Sequence, residues 1–453
     1  MRSTASTERA ARLMAAPILP TLLRLSAPGL ILVAFQSAVS IGDTWFVGRL
    51  GTAPLAALAL VFPLLMLLQM TSAGAMGGGV SSAVARALGA GEPATARRLV
   101  VHALAIAAVM GLAFTALMLG FGAPIYRLLG GRGETLELAL AYSTIVFSGA
   151  LVVWASNTFA SLLRGTGNTL LPAIVLVSAA AIHLPLSACL VLGLGPAPRL
   201  GIAGAAIAYI TTFSISTIAL GVAVLRRGSL LRPHRSDWTL QPRLFREILR
   251  VGGISLVSSL QTVLTAVLLT GFVGHFGAAA LAGYGVGVRL ELLQVPLVFA
   301  IGQAMVALVG LNIGAGNAAR ARRIAWTGTA LAACVSLLIG LTAAILPHAW
   351  VGLFSSDTQV LEAGSRYLQT VGPAYPFLAA GIALYFASQG AGQVALPVLA
   401  GTARLAFVVI GAAAVFAYGG GLPGLFAVIA LGMAVFGGLT IAAVLRTRWG
   451  SSA

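Results

Sequence analysis

The chain contains the same text twice. Phe46-Val47-Gly48-x-x-Gly51-x-Ala53-x-Leu55-Ala56 returns as Phe272-Val273-Gly274-x-x-Gly277-x-Ala279-x-Leu281-Ala282, 226 residues later. Gly89-Ala90-Gly91-x-x-Ala94-x-Ala96-Arg97-Arg98 returns as Gly314-Ala315-Gly316-x-x-Ala319-x-Ala321-Arg322-Arg323, and Gly165-x-Gly167 with Pro172 as Gly390-x-Gly392 with Pro397, both at an offset of 225. A register held across half the chain defines two copies of one unit, so the fold must be assembled from two like halves. In a hydrophobic chain such a duplication points to transport.

The halves are too apolar for water. Of the residues, 59% are hydrophobic and 8% charged, with a mean hydropathy of +1.01, which places the chain in a bilayer. All 27 basic residues are arginine and the net charge is +17. In a membrane chain those charges belong to loops and orient the spans, so no nucleic-acid partner is expected. Cys189 and Cys334 lie in apolar runs, giving no support to a disulfide or a metal site, and no cofactor is expected. Residues 1–21, with Arg2, Arg9 and Arg12, lack the apolar core and cleavage site of a signal peptide and read as a cytoplasmic tail.

At about 20 apolar residues per crossing, the chain holds twelve runs. Six fall in residues 22–225 and six in 249–445, joined by a polar linker at 226–248 and followed by a tail at 446–453. The expected fold is an all-α integral membrane protein of two parallel six-helix lobes, because an even number of spans per copy leaves both copies in the same orientation. Arginine placement agrees. Twenty arginines fall on the side of the N-terminus, five on the other (Arg49, Arg127, Arg132, Arg199, Arg366), and Arg289 and Arg404 lie within spans. Both termini are therefore expected in the cytoplasm, in a multi-pass protein of the plasma (inner) membrane. Nothing in the sequence demands more than a monomer.

Two acids lie inside the apolar runs, Asp43 and Glu291. An intramembrane carboxylate pays desolvation, which makes it a candidate for binding and releasing protons. Asp43 lies roughly 28 Å along the first helix from Arg24, in its outer half. It either faces a cavity or pairs at the interface with an arginine such as Arg49. The second copy carries Leu269 in its place while Thr44, Phe46, Val47 and Gly48 reappear as Thr270, Phe272, Val273 and Gly274. An acid whose duplicate became leucine is not required by the shared fold, which points to a role confined to the first lobe. Glu291 follows Arg289 by two positions, on a different side of a helix, so each needs another partner; a structural ion pair and a coupling role both remain open for Glu291. Gln36, Gln69, Asn157, His183, Ser187, Gln261, Gln303, Gln389 and Gln393 are polar residues within the runs, available as helix glue or as a cavity lining.

The chain resembles the multidrug and toxic compound extrusion family from about Leu22 to Leu445. The likeness rests on Gly42-Asp43-Thr44-x-Phe46-Val47-Gly48-x-Leu50-Gly51, Ala87-Leu88-Gly89-Ala90-Gly91 with Arg97, Arg164-Gly165-x-Gly167-Asn168 with Pro172, Leu200-Gly201-x-Ala203-Gly204-Ala205-Ala206, and Gly302-Gln303-Ala304 with Asn312-x-Gly314-Ala315-Gly316-Asn317. The resemblance implies a V-shaped pair of six-helix bundles exporting small organic cations in exchange for protons or sodium. It makes Asp43 the first-span coupling acid, with Asn157, His183 and Ser187 around it. Gln36, Gln261, Glu291, Arg289 and Gln389 are the candidates for a substrate cavity or a second coupling site. In the fifth span His183-Leu184-Pro185-Leu186-Ser187 resembles a family segment that often carries Asn first and Asp or Asn last; the replacement removes sodium ligands and favours protons. A lipid-linked precursor flippase and a major-facilitator transporter are the alternative readings, while the scattered histidines and acids supply no membrane-enzyme site.

Overall fold

The computed structural model describes residues 3–450, with side chains from residue 9 onward; Arg2, the Glu8 side chain and the last three residues of the expected C-terminal tail lie outside them. The described residues are helical throughout their ordered elements, with no strand. The expected N-terminal tail folds as α1 (Ser3–Ala15). The first lobe follows: α2 (Ile18–Gly48), α3 (Thr52–Gln69), a π-helical segment (Met70–Met76), α4 (Gly77–Gly89), α5 (Pro93–Leu128), α6 (Gly133–Ser148), α7 (Ala150–Gly165), α8 (Leu170–Leu192) and α9 (Ile202–Leu225). The second comprises α10 (Pro242–Gly274), α11 (Ala278–Gly314), α12 (Ala318–Ile345), the short α13 (Pro347–Val351), α14 (Thr358–Val371), a 3-10 turn (Gly372–Ala374), α15 (Tyr375–Ala391), α16 (Ala395–Ala417) and α17 (Gly421–Arg446).

Among the described residues, eleven helical stretches are long and apolar enough to cross a bilayer. The pair α6 and α7, bent by 48°, supplies a twelfth. The break falls at Gly149; its counterpart 225 residues on is Ala374, in the 3-10 turn between α14 and α15. Both lobes therefore interrupt their fourth span at the same place.

The echoed motifs survive because they are turns. Gly51 and Gly277 (φ +128° and +99°), Gly91 and Gly316 (+74° and +75°), and Gly167 and Gly392 (+76° and +77°) all lie in the left-handed region, where a side chain is strained. The duplicated glycines thus mark helix connections whose geometry both copies retain.

Each lobe has its own apolar core. The first is built around Trp154, Phe147, Tyr126, Leu99 and Leu162, the second around Tyr367, Tyr375, Phe426 and Leu368. Between lobes the packing is closest at the arginine-rich end. A Cβ on Gly89 of α4 would lie 2.1 Å from the Leu311 carbonyl oxygen of α11, and a Cβ on Gly314 of α11 would lie 2.1 Å from the Arg86 carbonyl oxygen of α4. Both pairs are related by the 225-residue offset, so α4 and α11 cross about a pseudo-two-fold axis at a point where only glycine fits.

Polar bonds close the same end. Ser82 Oγ donates to the Gln389 carbonyl, and the Arg86 guanidinium donates to Ser82 Oγ. The Gln389 amide nitrogen lies 3.1 Å from Ser255 Oγ and 3.4 Å from the Gly74 carbonyl in the π-helical segment. Both chain ends gather there too: Arg320 donates to the Ala16 carbonyl and Arg322 to the carbonyls of Val444 and Thr447.

The linker is docked rather than loose. Asp237 accepts from Arg97 at 3.3 Å and from the His234 backbone N–H at 2.9 Å, with Arg98 at 3.5 Å. The Gln241 backbone N–H donates to His102 Nε2 at 2.8 Å. Burial alone would raise the Asp237 carboxyl, but the His234 N–H and the two guanidinium groups hold it below the usual carboxylate range.

Candidate functional site

Asp43 lies on α2 one residue after Gly42, whose missing side chain leaves room for Leu184 of α8; a Cβ there would be 2.5 Å from Leu184 Cδ2. That approach brings α8 within reach of the acid. Ser187 Oγ donates to Asp43 Oδ1 at 2.6 Å, and His183 Nε2 lies 2.9 Å from Asp43 Oδ2. His183 and Ser187 are four apart on α8 and share a face. Both are buried, and the Asp43 side chain keeps 13% of its surface exposed. Behind the imidazole, Thr212 Oγ1 of α9 lies 3.3 Å from His183 Nδ1. The Arg49 guanidinium lies over the Trp45 ring, 4.1 Å from its centroid. Asp43 thus sits in a polar cluster inside the lobe, and no ion pair joins it to Arg49.

The hydrogen bonds of the Asn157 amide go elsewhere than to the acid. That amide donates to Gln69 Oε1 at 3.1 Å and to Ser72 Oγ at 2.8 Å, and Gln69 Nε2 donates to the Tyr209 hydroxyl at 2.7 Å. These residues form a second polar strand through the same lobe, ending on the π-helical segment. Gln69 and Tyr209 are its centre; of the two, only Gln69 stands out in sequence, as a polar residue in an apolar run.

The remaining candidates scatter. Gln36 is exposed on α2. Gln261 is buried within the second lobe, where its Nε2 donates to Thr402 Oγ1 of α16 at 2.6 Å; it joins two helices of one lobe. Gln389 is fully buried in the contact between lobes, so it is a closure residue and not part of a cavity wall. Arg289 is exposed with its guanidinium 5.0 Å from the Phe354 ring centroid. Glu291 accepts from the Tyr367 hydroxyl at 3.1 Å, on another side of α11, as their two-residue spacing requires.

The duplication exposes how local the first-lobe cluster is. The positions equivalent to Asp43, His183 and Ser187 are Leu269, Val408 and Ala412, and all three belong to one buried apolar cluster of the second lobe. The same backbone corner is polar in one copy and hydrocarbon in the other. Among the described residues no group of three His, Cys, Asp or Glu side chains is arranged to hold a metal ion.

The MatE family profile matches residues 28–189 and again 254–415. The chain belongs to this family, the multidrug and toxic compound extrusion transporters. The two matches are offset by 226 residues, the period of the internal repeat. A protein named FAD transporter from Shewanella oneidensis is 29% identical over 376 residues, covering 83% of this chain and 82% of its own. A probable multidrug resistance protein NorM from Thermotoga maritima is 26% identical over 384 residues, covering 83% and 81%. Among solved structures, the Vibrio cholerae MATE transporter VcmN in its bent form superposes with a TM-score of 0.86 at 22% identity, over 97% of this chain and 98% of that one. A MOP superfamily transporter from Pyrococcus furiosus gives 0.86 at 24% identity, over 96% and 98%. The fold is the V-shaped MATE fold, in a multi-pass membrane transporter.

Proposed function

We propose that this MATE transporter is a proton-coupled antiporter that exports organic cations, with its arginine-rich end and both termini in the cytoplasm of a plasma membrane. The observation that carries the reading is the Asp43–His183–Ser187 cluster: a carboxylate within a membrane helix, hydrogen-bonded to a titratable imidazole and retained where the duplicate lobe is apolar. A proton entering from the open side adds to the Asp43 carboxylate and weakens the cluster's hold on a cationic substrate. The lobes then rock about the docked linker and the α4–α11 crossing. Such a cycle works only because proton and substrate bind the two conformations with different affinity. Coupling to protons fits the donor set better than coupling to sodium, since His183 and Ser187 leave the corner with one carboxylate and few free oxygens.

The test is uptake of a fluorescent organic cation into sodium-free inside-out vesicles driven by a proton gradient, for the native chain and for Asp43→Asn inserted to the same level. Uptake that collapses in the variant supports proton-coupled export through the first lobe. No uptake with or without sodium removes the multidrug reading. The relative named FAD transporter makes a dinucleotide the second substrate for the same vesicles.

A further inference from the structure

The hydrogen bonds around His183 leave little freedom in where its protons sit. Thr212 Oγ1 lies 2.8 Å from the Ala208 carbonyl and 2.9 Å from the Tyr209 carbonyl, the back-bonded arrangement of a threonine within a helix. Its single hydrogen is committed to those oxygens, so toward His183 Nδ1, 3.3 Å away, it presents only a lone pair. An imidazole facing that lone pair carries its hydrogen on Nδ1. In the neutral ring Nε2 is then an acceptor. Yet Nε2 lies 2.9 Å from Asp43 Oδ2, and a bare carboxylate oxygen is an acceptor too. Two acceptors at that distance require a hydrogen between them.

We infer that the Asp43–His183 pair holds a shared proton, so that the charge of the first-lobe coupling unit alternates between zero and plus one, instead of between minus one and zero as it would for a lone acid. This rests on the proton-coupled reading given above and specifies its chemistry. In the singly protonated unit the proton lies on Nε2 beside a carboxylate or on Oδ2 beside a neutral ring. The coupling proton then adds to the Asp43 carboxylate while the imidazolium keeps both N–H bonds; its release restores the neutral pair. Ser187 donates to Oδ1 and holds the carboxylate in place. The other titratable groups facing Asp43 are Tyr142 of α6 and Tyr209 of α9, and His183 is its one ion-pair partner among the described residues. Bound substrate cations are expelled by a new positive charge and not merely released from a negative one. Sodium meets a corner whose carboxylate is already occupied by an N–H and an O–H donor. Thr212 is a positioning residue: it acts by fixing the tautomer.

The experiment is nitrogen NMR of the purified full chain in lipid nanodiscs with its histidine rings labelled, the His183 signals being assigned by their loss in His183→Asn. At neutral pH the native chain is expected to show a proton on Nδ1 and a strongly deshielded, exchange-protected proton on the Nε2–Asp43 bond. That second proton disappears in Asp43→Asn, whose amide donates to a bare Nε2, while the Nδ1 proton stays. Replacing choline chloride by sodium chloride leaves both signals unmoved. A native His183 with Nδ1 bare and a hydrogen on Nε2 alone overturns the inference, as does displacement of the shared proton by sodium. Should His183→Asn fail to fold, the same signals are assigned in a chain that keeps His183 and has His102, His234, His275 and His348 replaced. The spectrum is also independent of transport: the Nδ1 proton with the shared proton establishes the paired state whatever the vesicles show, a failure of proton-driven uptake removes only its coupling role, and the opposite tautomer sinks the inference even where uptake depends on Asp43.

Discussion

Gly89 and Gly314 close the arginine-rich end of the V, and adding one methyl group to either should open it. A Cβ at each position would lie 2.1 Å from a carbonyl oxygen of the facing helix. Neither oxygen can swing away, because each belongs to helical backbone. The helices must part by roughly 1 Å or the chain must strain, and overpacking of this kind costs about 1–3 kcal/mol. At about 1.4 kcal/mol per factor of ten, Gly89→Ala or Gly314→Ala should lower the population of the conformation closed at this end by roughly 5- to 150-fold relative to its competitor. The assay is spin-label distance measurement between Thr52 and Ala278, exposed residues at the starts of α3 and α11, with Cys189 and Cys334 replaced by serine. The native chain should show the separation given by this structure, and each variant should gain a second, shorter population. Because both methyl groups load the same crossing, the double variant should exceed the stronger single one by far less than the sum. Native-like distances in both single variants, or full additivity, would refute the reasoning.

Gln389→Ala should act in the same direction and more weakly. It removes bonds worth about 0.5–1.5 kcal/mol each from the contact between lobes while leaving the glycine crossing intact, and the same distance measurement reads it. Asp237→Asn should loosen the linker, seen as faster proteolysis within residues 226–241; bonds to a charged group of about 1.5–3 kcal/mol are reduced here because Arg98 is 41% exposed. The folded-state pKa of Asp237 is depressed, so its contribution is complete above the unfolded value of about 3.9 and is lost as pH falls through the lowered folded value. Linker protection should therefore stay constant from neutral pH down to about 4 and fail only in stronger acid; failure well above that range would refute the assignment of this protection to Asp237. Leu269→Asp should cost several kcal/mol and lower the thermal midpoint sharply in detergent, since the duplicate corner offers Val408 and Ala412 where the first lobe offers His183 and Ser187.

The repeat, the count of spans and the linker were all legible in the chain because each depends on a local property: an echo of turn glycines, a run of apolar residues, a cluster of arginines. Asp43, His183 and Ser187 were each identifiable as polar residues in apolar runs, and four-residue spacing alone puts the last two on one face of α8. Their meeting with Asp43 depends on the α2–α8 approach at Gly42, which no pattern within either helix encodes. Gln389 illustrates the opposite difficulty. A glutamine in an apolar run looks the same whether it lines a cavity or bridges two lobes, and only the approach of α15 to α4 and the π-helical segment decides. The folding of residues 3–15 as a helix was hidden for a related reason: its partners, such as the Arg320 side chain at Ala16, come from the other end of the chain.

The asymmetry between copies locates function more sharply than any one motif. Duplication begins with two identical corners, and each retained feature must serve either the common scaffold or a particular task. The left-handed glycines and the α4–α11 crossing are kept in both lobes, so they belong to the scaffold and to the hinge. The Asp43 corner is polar in one lobe, while its counterpart has become part of the second lobe's apolar core. Burying a carboxylate, an imidazole and a hydroxyl costs stability that Leu269, Val408 and Ala412 show to be unnecessary for folding this backbone. Glu291 and Tyr367 differ, for Tyr367 has a duplicate in Tyr142 but Glu291 faces Met66 in the register, so the second lobe has placed its own acid elsewhere. If Glu291 served only packing, Glu291→Gln would keep the Tyr367 bond and leave proton-driven uptake unchanged. A variant folded as well as the native chain but with its uptake shifted in pH would instead assign a second proton site to the second lobe.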